Sequence, residues 1–446
     1  MPTASKKVIN GWAMYDWANS AYNLVITSTI FPAYFVAITS AGNEQGAHYT
    51  TFFGRNYINT SLMDYVLAVV FLLVAVSSPV LSSIADYRRN KKVYLRWFCI
   101  MGSAASAALF FYEPGMTEYG MIVFGIAALG YWASLVFYNS YLPEIAAPED
   151  QDRVSAKGYS LGYIGSVLLQ LICFVAIVRP EWLGYIGFDT KGESFKTLGP
   201  RFSFLLVGIW WFGFAQMTLR VLPLPPATER KARTNVLTNG FKELKLVWRQ
   251  VRQLPALRRF LLSFFLYSMG VQTVMLVAAG FAKKEIFPDP DDESKLLATI
   301  IVIQLVAIIG AVVLSRLSKI IGNMAVLMIS VLCWIIICIA GYFVNGAVPF
   351  YILSAAVGLV MGGIQSMSRS TYSKLLPETK DTASFFSFFD VTEKIAIVIG
   401  IFTFGYLEDL TGSMRNSIVA LGLFFLAGLI ALVYTNKVYP KQHAGI

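Results

Sequence analysis

The chain has 446 residues, of which 56% are hydrophobic and only 14% are charged, and its net charge is +10. Soluble domains carry about 25% charged residues, so the composition excludes an ordinary soluble protein. Apolar runs of about 20 residues recur along the whole chain, and each is long enough to cross ~30 Å of hydrocarbon. The sequence therefore predicts a polytopic helical membrane protein.

Twelve apolar segments are expected to cross the membrane. They cover residues 11–39, 62–86, 93–112, 118–141, 154–178, 201–222, 258–281, 296–316, 324–344, 348–370, 382–407 and 415–436. Lys and Arg concentrate in alternate connecting segments, which is the pattern that places basic loops in the cytoplasm. We therefore expect both termini to be cytoplasmic, and the positive charge is explained without nucleic acid as a partner.

A basic segment with no long apolar run divides the chain near its middle. It separates an expected N-terminal six-helix bundle, residues 1–222, from a C-terminal bundle, residues 258–446. The linker between them, residues 223–257, contains a predicted amphipathic helix. Its apolar face comprises Phe241, Leu244, Trp248 and Val251, and its basic face comprises Lys242, Lys245, Arg249 and Arg252. This pattern is typical of a helix that lies on the surface of a membrane.

The two halves also share a short repeat. The sequence Leu-Pro-Glu at residues 142–144 follows the fourth span of the first half, and it recurs at residues 376–378 after the fourth span of the second half. Parallel internal repeats are typical of transporters whose solute site lies near the middle of the membrane, between the halves. The repeat therefore favours a duplicated six-plus-six transporter.

One motif would suggest an enzyme if it stood in a soluble domain. Residues 158–162 read Gly-Tyr-Ser-Leu-Gly, the G-x-S-x-G pattern of hydrolase nucleophiles. That pattern requires a turn between a strand and a helix and a histidine partner, whereas here it opens a predicted membrane helix. The two histidines, His48 and His443, lie in a loop and in the C-terminal tail. We interpret the glycines as contacts for close helix packing, and no enzyme activity, metal or cofactor is expected.

Polar residues within the spans are the candidate solute contacts, because each is costly in lipid unless it faces protein or water. Two spans place polar residues at 4-3-4 spacing, which falls on one face of a helix. These stripes are Asp16, Ser20, Asn23 and Thr27 in the first span and Tyr159, Tyr163, Ser166 and Gln170 in the fifth. The predicted solute contacts are Asn19, Asn23, Thr27, Tyr159, Tyr163, Gln170, Gln272, Gln365 and Lys394. The alternative is that these side chains only bond neighbouring helices.

The eleventh span carries an unusual charged group, Asp390, Glu393 and Lys394. Asp390 and Lys394 are one helical turn apart and can pair. Charges within a membrane usually mark the path of a solute or a proton, so we predict that Lys394 holds a carboxylate of the solute. The residues predicted for proton coupling are Asp16, Asp390 and Glu393. A purely structural ion pair, and a capping role for Asp16, are the alternatives.

Residues 77–92, SSPVLSSIADYRRNKK, resemble the motif between the second and third spans of the major facilitator superfamily. Asp86 matches the acidic residue of that motif. Its basic run is matched by Arg88, Lys91 and Lys92. The resemblance implies that these four residues gate access by bridging helices. The glycines usual in the motif are replaced here by Ser82 and by residues 89–90, so the tight turn of the motif is not predicted.

Three further segments are similar to the autophagy-related vacuolar effluxer branch of this superfamily. They are residues 15–22 (YDWANSAY), 138–144 (YNSYLPE) and 158–165 (GYSLGYIG). Fungal members are implicated in the export of amino acids from the vacuole. The compact loops of this chain resemble the bacterial members, whose substrates are poorly defined. The resemblance implies a transporter with an amino acid as its solute.

Together these patterns predict an all-α membrane protein in which twelve helices form two pseudo-symmetric six-helix bundles, the major facilitator fold. We expect a secondary transporter, monomeric and in a bacterial cytoplasmic membrane, that moves a small polar solute by alternating access. Its expected partners are the solute, membrane lipid and, as an option, protons. Two alternatives remain open: a multidrug or amphiphile exporter, and a membrane sensor or scaffold that binds without transporting.

Overall fold

The computed structural model describes residues 2–40, 49–188, 195–223, 236–289 and 293–439, which are almost entirely helical. Helices dominate because, in lipid, a helix satisfies its backbone polar groups within one segment. The predicted all-α fold is confirmed, with the addition of one short hairpin. Its two antiparallel strands are Tyr49–Phe52 and Arg55–Ile58.

The first half contains eight α-helices among its described residues. They are α1 (Lys6–Ala21), α2 (Phe31–Ser40), α3 (Asn59–Arg88), α4 (Lys91–Ala108), α5 (Thr117–Asn139), α6 (Leu142–Ile145), α7 (Gln151–Val178) and α8 (Phe195–Val221). A π-helical segment, Tyr22–Ile30, joins α1 to α2, so that the three form one span, Lys6–Ser40. Short 3-10 segments follow α4 and α7, at Leu109–Phe111 and Pro180–Ile186.

The second half begins with the predicted amphipathic helix of the linker and continues with six long helices. They are α9 (Val236–Gln253), α10 (Pro255–Phe281), α11 (Glu293–Ile321), α12 (Asn323–Phe343), α13 (Ala347–Leu375), α14 (Thr382–Thr411) and α15 (Met414–Asn436). A π-helical turn, Ala282–Ile286, extends α10. α14 ends at Gly412, whose φ of 66° lies in the left-handed region that glycine adopts without strain. Residues 224–235 of the predicted linker lie outside the described residues.

Eleven of the described helical stretches are long and apolar enough to span a membrane. The one predicted span not among these eleven is the eleventh, residues 382–407, which corresponds to α14; this helix has 30 residues and carries Asp390, Glu393 and Lys394. α14 packs against α3 and α10, and Asp390 and Lys394 are buried. Asp390 and Lys394 therefore face protein. Each of the twelve predicted segments overlaps at least one described helix, and several helices extend a few residues beyond the predicted ends.

Each half has its own buried core. One hydrophobic cluster consists of residues of the first half together with Ala383 and Ile397 of α14. The other consists of residues of α9 and the second half together with Tyr163 of α7. The halves meet along two seams: α3 packs on α14, and α7 packs on α11 and α13. The seams are related by the internal repeat, because each joins the second span of one half to the fifth span of the other. The domain boundaries drawn from the sequence stay a prediction.

The two ends of the bundle differ in the ion pairs that they contain. Toward the end where α9 lies, which we call the linker end, three pairs join the halves: Arg89–Asp381, Asp16–Arg369 and Asp152–Lys374. At the opposite end, three further pairs each join segments of one half: Arg201–Glu113, Lys284–Glu408 and Arg415–Glu285. These contacts hold the halves together at the linker end.

Candidate functional site

Asp86 joins the halves at the seam between α3 and α14. It lies in the last turn of α3 and is buried. Its carboxylate accepts hydrogen bonds from the backbone N–H groups of Ala383 and Ser384, at 3.3 and 2.6 Å, and from the Ser384 hydroxyl at 2.7 Å. The first N–H groups of a helix have no partner within it and carry partial positive charge. Asp86 therefore caps α14 from the other half of the molecule.

The turn after α3 forms although the usual glycines are missing. Arg89 adopts the left-handed conformation, with φ 53°, that glycine usually supplies after a helix. Its N–H donates to the carbonyl of Asp86 at 3.0 Å, and its guanidinium lies 3.6 Å from Asp381 of the second half. Its neighbour Arg88 is half-buried at the end of α3. Arg89 thus forms a further contact across the seam, which the resemblance to the superfamily motif does not predict.

The predicted basic gating residues are placed differently from one another. The ammonium group of Lys91 lies 2.6 Å from Glu144 and donates to the hydroxyl of Thr382, in the second half, at 3.0 Å. Lys92 instead donates to the carbonyl of Leu222 at 2.9 Å, within its own half. Lys91 therefore bridges the halves, whereas Lys92 holds α4 against the end of α8.

A second carboxylate, Asp152, organises the other seam. It lies buried in the first turn of α7. Three donors from the second half reach it at 2.8, 2.8 and 2.7 Å: Ser318 of α11, Asn323 of α12 and Lys374 of α13. Its importance is not evident from the sequence, because acidic residues are common in the first turn of any helix.

Asp16 of α1 and Arg369 of α13 form a deeply buried ion pair between the halves. Their side chains keep only 6% and 2% of their surface exposed, with 3.2 Å between Oδ2 and Nη1. Asp16 also accepts a hydrogen bond from Tyr138 at 2.8 Å. Arg369 donates to the hydroxyl and carbonyl of Ser155, at 2.9 and 2.8 Å, and to Asn139 at 3.1 Å. A buried ion pair is favourable only when its other hydrogen bonds are satisfied, and here α5 and α7 supply them.

Aromatic rings enclose the same guanidinium. The centre of the Tyr159 ring lies 4.2 Å from Cζ of Arg369, and that of Trp12 lies 4.9 Å from it. A cation held over an aromatic face is attracted to it, most strongly where water is excluded. The ring of Tyr159, a predicted solute contact, therefore packs against the ion pair in this state.

The glycines of the G-x-S-x-G pattern bring α1 and α7 together. A Cβ atom at Gly158 would overlap Oδ2 of Asp16 and lie 2.9 Å from Nη2 of Arg369, and one at Gly162 would lie 2.5 Å from Oγ of Ser20. Neither position has room for a larger residue. The interpretation of these glycines as contacts for close helix packing is confirmed, and Gly158 leaves the space that the ion pair occupies.

The charged group of α14 lies where both halves contribute to its surroundings. The ammonium of Lys394 is 2.9 Å from Asp390 and 2.8 Å from Glu393. Glu393 also accepts a hydrogen bond from Gln272 of α10 at 2.8 Å. From the first half, the Trp132 ring centre lies 4.0 Å from Nζ of Lys394. The predicted pairing of Asp390 with Lys394 is thus present. Glu393, Gln272 and the ring of Trp132 complete a cluster of five residues around it.

Two further predicted contacts meet each other across the halves. The hydroxyl of Tyr163 in α7 donates to Oε1 of Gln365 in α13 at 2.7 Å. The amide of Gln365 also lies 3.3 Å from the sulfur of Met275. Both side chains are neutral, and both can exchange these bonds for bonds to a polar solute. Among the residues that the structure describes, no group of three or more His, Cys, Asp or Glu side chains is placed to hold a metal ion.

The polar stripe predicted for the first span is altered by the π-helical segment Tyr22–Ile30. A π-helix bonds each residue to the fifth along, so a spacing counted at 3.6 residues per turn no longer marks one face. Thr27 is buried and Asn23 is half-buried. The hydroxyl of Thr29 donates to Gln170 at 2.8 Å. Gln170 is therefore bonded to the π-helical part of the first span, within its own half, through a residue outside the predicted stripe.

Asn19, another predicted contact, lies fully buried in the core of the first half. Neither atom of its side-chain amide has a hydrogen-bond partner among the described residues. A buried polar group without a partner costs about 1–3 kcal/mol. Asn19 therefore keeps hydrogen-bonding capacity that the surrounding protein does not use.

Comparison with known proteins agrees with this architecture. The family model described as "Vacuole effluxer Atg22 like" matches residues 4–444. The chain belongs to this family. A relative from Bacillus subtilis, described as an uncharacterized MFS-type transporter YxiO, is 27% identical and covers 96% of this chain and 94% of its own length. Autophagy-related protein 22-1 of Aspergillus clavatus is 27% identical and covers 85% of this chain and 74% of that protein.

Solved structures resemble this Atg22-like chain over nearly its whole length. The transporter FucP in its outward conformation has a TM-score of 0.68 at 13% identity, covering 96% of this chain and 98% of that one. The proton:xylose symporter XylE has a TM-score of 0.67 at 14% identity, covering 97% and 95%. At such identities the likeness shows the fold alone. The predicted major facilitator fold is confirmed, and the Atg22-like chain is a membrane transporter of that superfamily.

Arg369 is the site residue of this Atg22-like chain that is hardest to predict from the sequence. It stands at the end of the predicted tenth span, residues 348–370, where a basic residue normally marks the membrane surface. The helix α13 instead continues to Leu375, which places Arg369 inside the bundle. The available signal was an acid, Asp16, in the first span that needed a basic partner.

Proposed function

We propose that this chain is a secondary active transporter that moves a small polar solute, with an amino acid as the expected class, by alternating access. The observation that carries this proposal is the buried cluster of Asp390, Glu393 and Lys394. Charged groups are costly within a membrane and usually mark the path of a solute or an ion. The contact of Lys394 with Trp132 of the other half supports a site between the halves, where both sides of the membrane can reach it in turn.

The charges of this cluster favour a solute with an ammonium group. Two carboxylates and one ammonium give a formal charge of −1. Lys394 is fully enclosed, whereas Glu393 keeps 18% of its side chain exposed. Glu393 is therefore the member that an incoming solute meets first, and a solute carboxylate reaches Lys394 only by displacing one of its partners. Tyr163 and Gln365 provide neutral hydrogen bonds from both halves.

The ion pairs support a state that is closed at the linker end. The pairs that join the halves, Arg89–Asp381, Asp16–Arg369 and Asp152–Lys374, lie toward that end. With both termini in the cytoplasm of a bacterial cell, as the loop charges favour, this state is closed to the cytoplasm. In the proposed cycle these pairs separate when the site opens to the cytoplasm.

Proton coupling is a separable part of the proposal. Asp390 and Glu393 compete for one ammonium group, so the cluster is placed to bind a proton without losing its pairing. Asp16 loses its partner whenever the linker end opens, which is a further point in the cycle where a carboxylate changes its surroundings. Uptake into proteoliposomes with and without a pH gradient tests this part, and rates that do not depend on the gradient would remove it.

Counterflow in proteoliposomes tests the main proposal. Vesicles loaded with unlabelled amino acids should accumulate labelled amino acids, and Lys394→Ala should abolish this exchange because two carboxylates then share a buried site without a cation. The matched control is Lys284→Ala, whose side chain is 57% exposed at the opposite end. Thermal unfolding of each purified variant shows whether it is folded.

The outcomes separate the rival functions. Unchanged counterflow in a folded Lys394→Ala variant contradicts the proposed site. Efflux of hydrophobic cationic dyes that amino acids do not inhibit identifies an amphiphile exporter, with Glu393 as the charge that receives the cation. Binding of a solute without counterflow identifies a sensor or scaffold.

A further inference from the structure

The linker helix α9 lies across one seam between the halves. It packs on α3 of the first half and on α10 and α14 of the second. Val247 and Val251 form its buried face, and the Trp248 ring centre lies 5.4 Å from that of Phe388 in α14. A separation of α3 from α14 at the linker end must therefore change the contacts of α9 as well.

The face of α9 that points away from the bundle is basic and aromatic. Four exposed basic residues fall within roughly 80° of one another at about 100° per residue: Lys242, Lys245, Arg249 and Arg252. Phe241 and Trp248 are exposed by 56% and 49% and border this stripe on its side toward the buried face. Glu243, the single acid of α9, lies on the other side of the helix. Charge and aromatic rings are thus sorted onto one surface.

The chain holds this surface at the level of the membrane. α9 ends at Gln253 and the membrane helix α10 begins at Pro255, so that one residue separates them. A basic stripe bordered by exposed aromatic residues is typical of a helix whose cations meet lipid headgroups and whose rings enter the boundary with the acyl chains.

We propose that the exposed face of α9 binds the anionic headgroups of the phospholipid leaflet at the linker end. Four cations accompanied by one acid match an anionic surface in charge, and the neighbouring rings match its apolar boundary. Because α9 contacts α3 and α14 together, its attachment to lipid favours the state in which these helices are joined. The proposal does not depend on the identity of the solute.

Hydrogen exchange in nanodiscs tests this proposal on the full chain. Amide exchange across residues 241–253 is compared by mass spectrometry in discs of phosphatidylcholine alone and in discs that also contain phosphatidylglycerol. The anionic lipid should slow exchange in α9 by at least about tenfold, since each basic residue near an anionic surface adds favourable attraction. Inorganic phosphate added to the phosphatidylcholine discs should not reproduce the effect, which separates a lipid surface from a free anion.

Two charge variants complete the experiment. The variant K242Q/K245Q/R249Q/R252Q should lose the lipid effect, and the milder K242Q/K245Q should lose part of it. The control K6Q/K7Q/R316Q/K319Q removes four other exposed charges and should retain it. Unchanged thermal unfolding in the discs of phosphatidylcholine alone, where no anionic lipid is present, shows that each variant is folded. Equal exchange of the unmodified chain in both lipids, or a full lipid effect in the fourfold α9 variant, overturns the proposal.

Discussion

Replacement of Arg369 by methionine tests the ion pair that joins the two halves. Asp16 would remain buried with the Tyr138 hydroxyl as its remaining donor, and removal of one partner from a buried ion pair costs about 3–5 kcal/mol. The cost falls on the state closed at the linker end, because the two residues belong to different halves. We expect Arg369→Met to shift the equilibrium toward the open state by about a hundredfold to several thousandfold, at about 1.4 kcal/mol per factor of ten.

A buried cysteine at the seam measures this shift. Ala383 of α14 is fully buried against the first half. In a background without the native cysteines, Ala383→Cys should react with a membrane-impermeant maleimide only when the linker end opens. The reaction should therefore be faster with Arg369→Met by about a hundredfold or more, up to the limit at which the open state predominates. A cysteine at the exposed position Arg316 should react at one rate in both backgrounds.

The double variant D16N/R369M is the matched control for this prediction. It removes the carboxylate that Arg369→Met leaves unpaired, and contacting residues couple by about 0.5–3 kcal/mol. Labelling of Ala383→Cys should therefore fall back by about tenfold from the rate of the single variant. Equal labelling of the single and double variants, or no acceleration in the single variant, would refute the assignment of this pair to the closed state.

Two substitutions on the first half test the packing around Asp16 and the cap of α14. Gly158→Ala places a methyl group against Asp16 and should lower the free energy of unfolding by about 1–3 kcal/mol. Gly213→Ala on α8, which has open space around it, should be neutral or stabilising. Equal melting temperatures of the two variants would contradict this reasoning. Asp86→Asn weakens the cap of α14 and should lower the free energy of unfolding by about 1–2 kcal/mol. The control Asp64→Asn, at the other end of α3, should lower it by about 0.5 kcal/mol or less. Thermal unfolding measures both. Similar losses for the two Asn variants would show that the cap is not needed.

The membrane spans could be predicted because the solvent acts on each segment separately. A segment of about 20 apolar residues must be helical in lipid whatever its neighbours are, so hydropathy located all twelve helices. The positions of Asp390 and Lys394 one turn apart on one helix also predicted their contact. The same local reasoning identified Asp86 through its motif and Gly158 through its spacing.

Contacts between distant segments could not be predicted in this way. Asp16 and Arg369 are 353 positions apart, and their meeting depends on how α1 and α13 are rotated about their axes. The π-helical segment Tyr22–Ile30 changes that rotation within the first span, and nothing in its hydropathy distinguishes it from an α-helix. This is why Thr29, and not a residue of the predicted stripe, contacts Gln170.

Asp152 has a consequence for how the molecule opens. One carboxylate receives its donors from three helices of the other half, through Ser318, Asn323 and Lys374. If one of these helices moved away alone, the buried carboxylate would lose a hydrogen-bond donor. Its contacts with the remaining helices would then be weaker. The seam therefore behaves as a single cooperative unit, so the second half should release as one rigid body and partly opened forms should be sparsely populated.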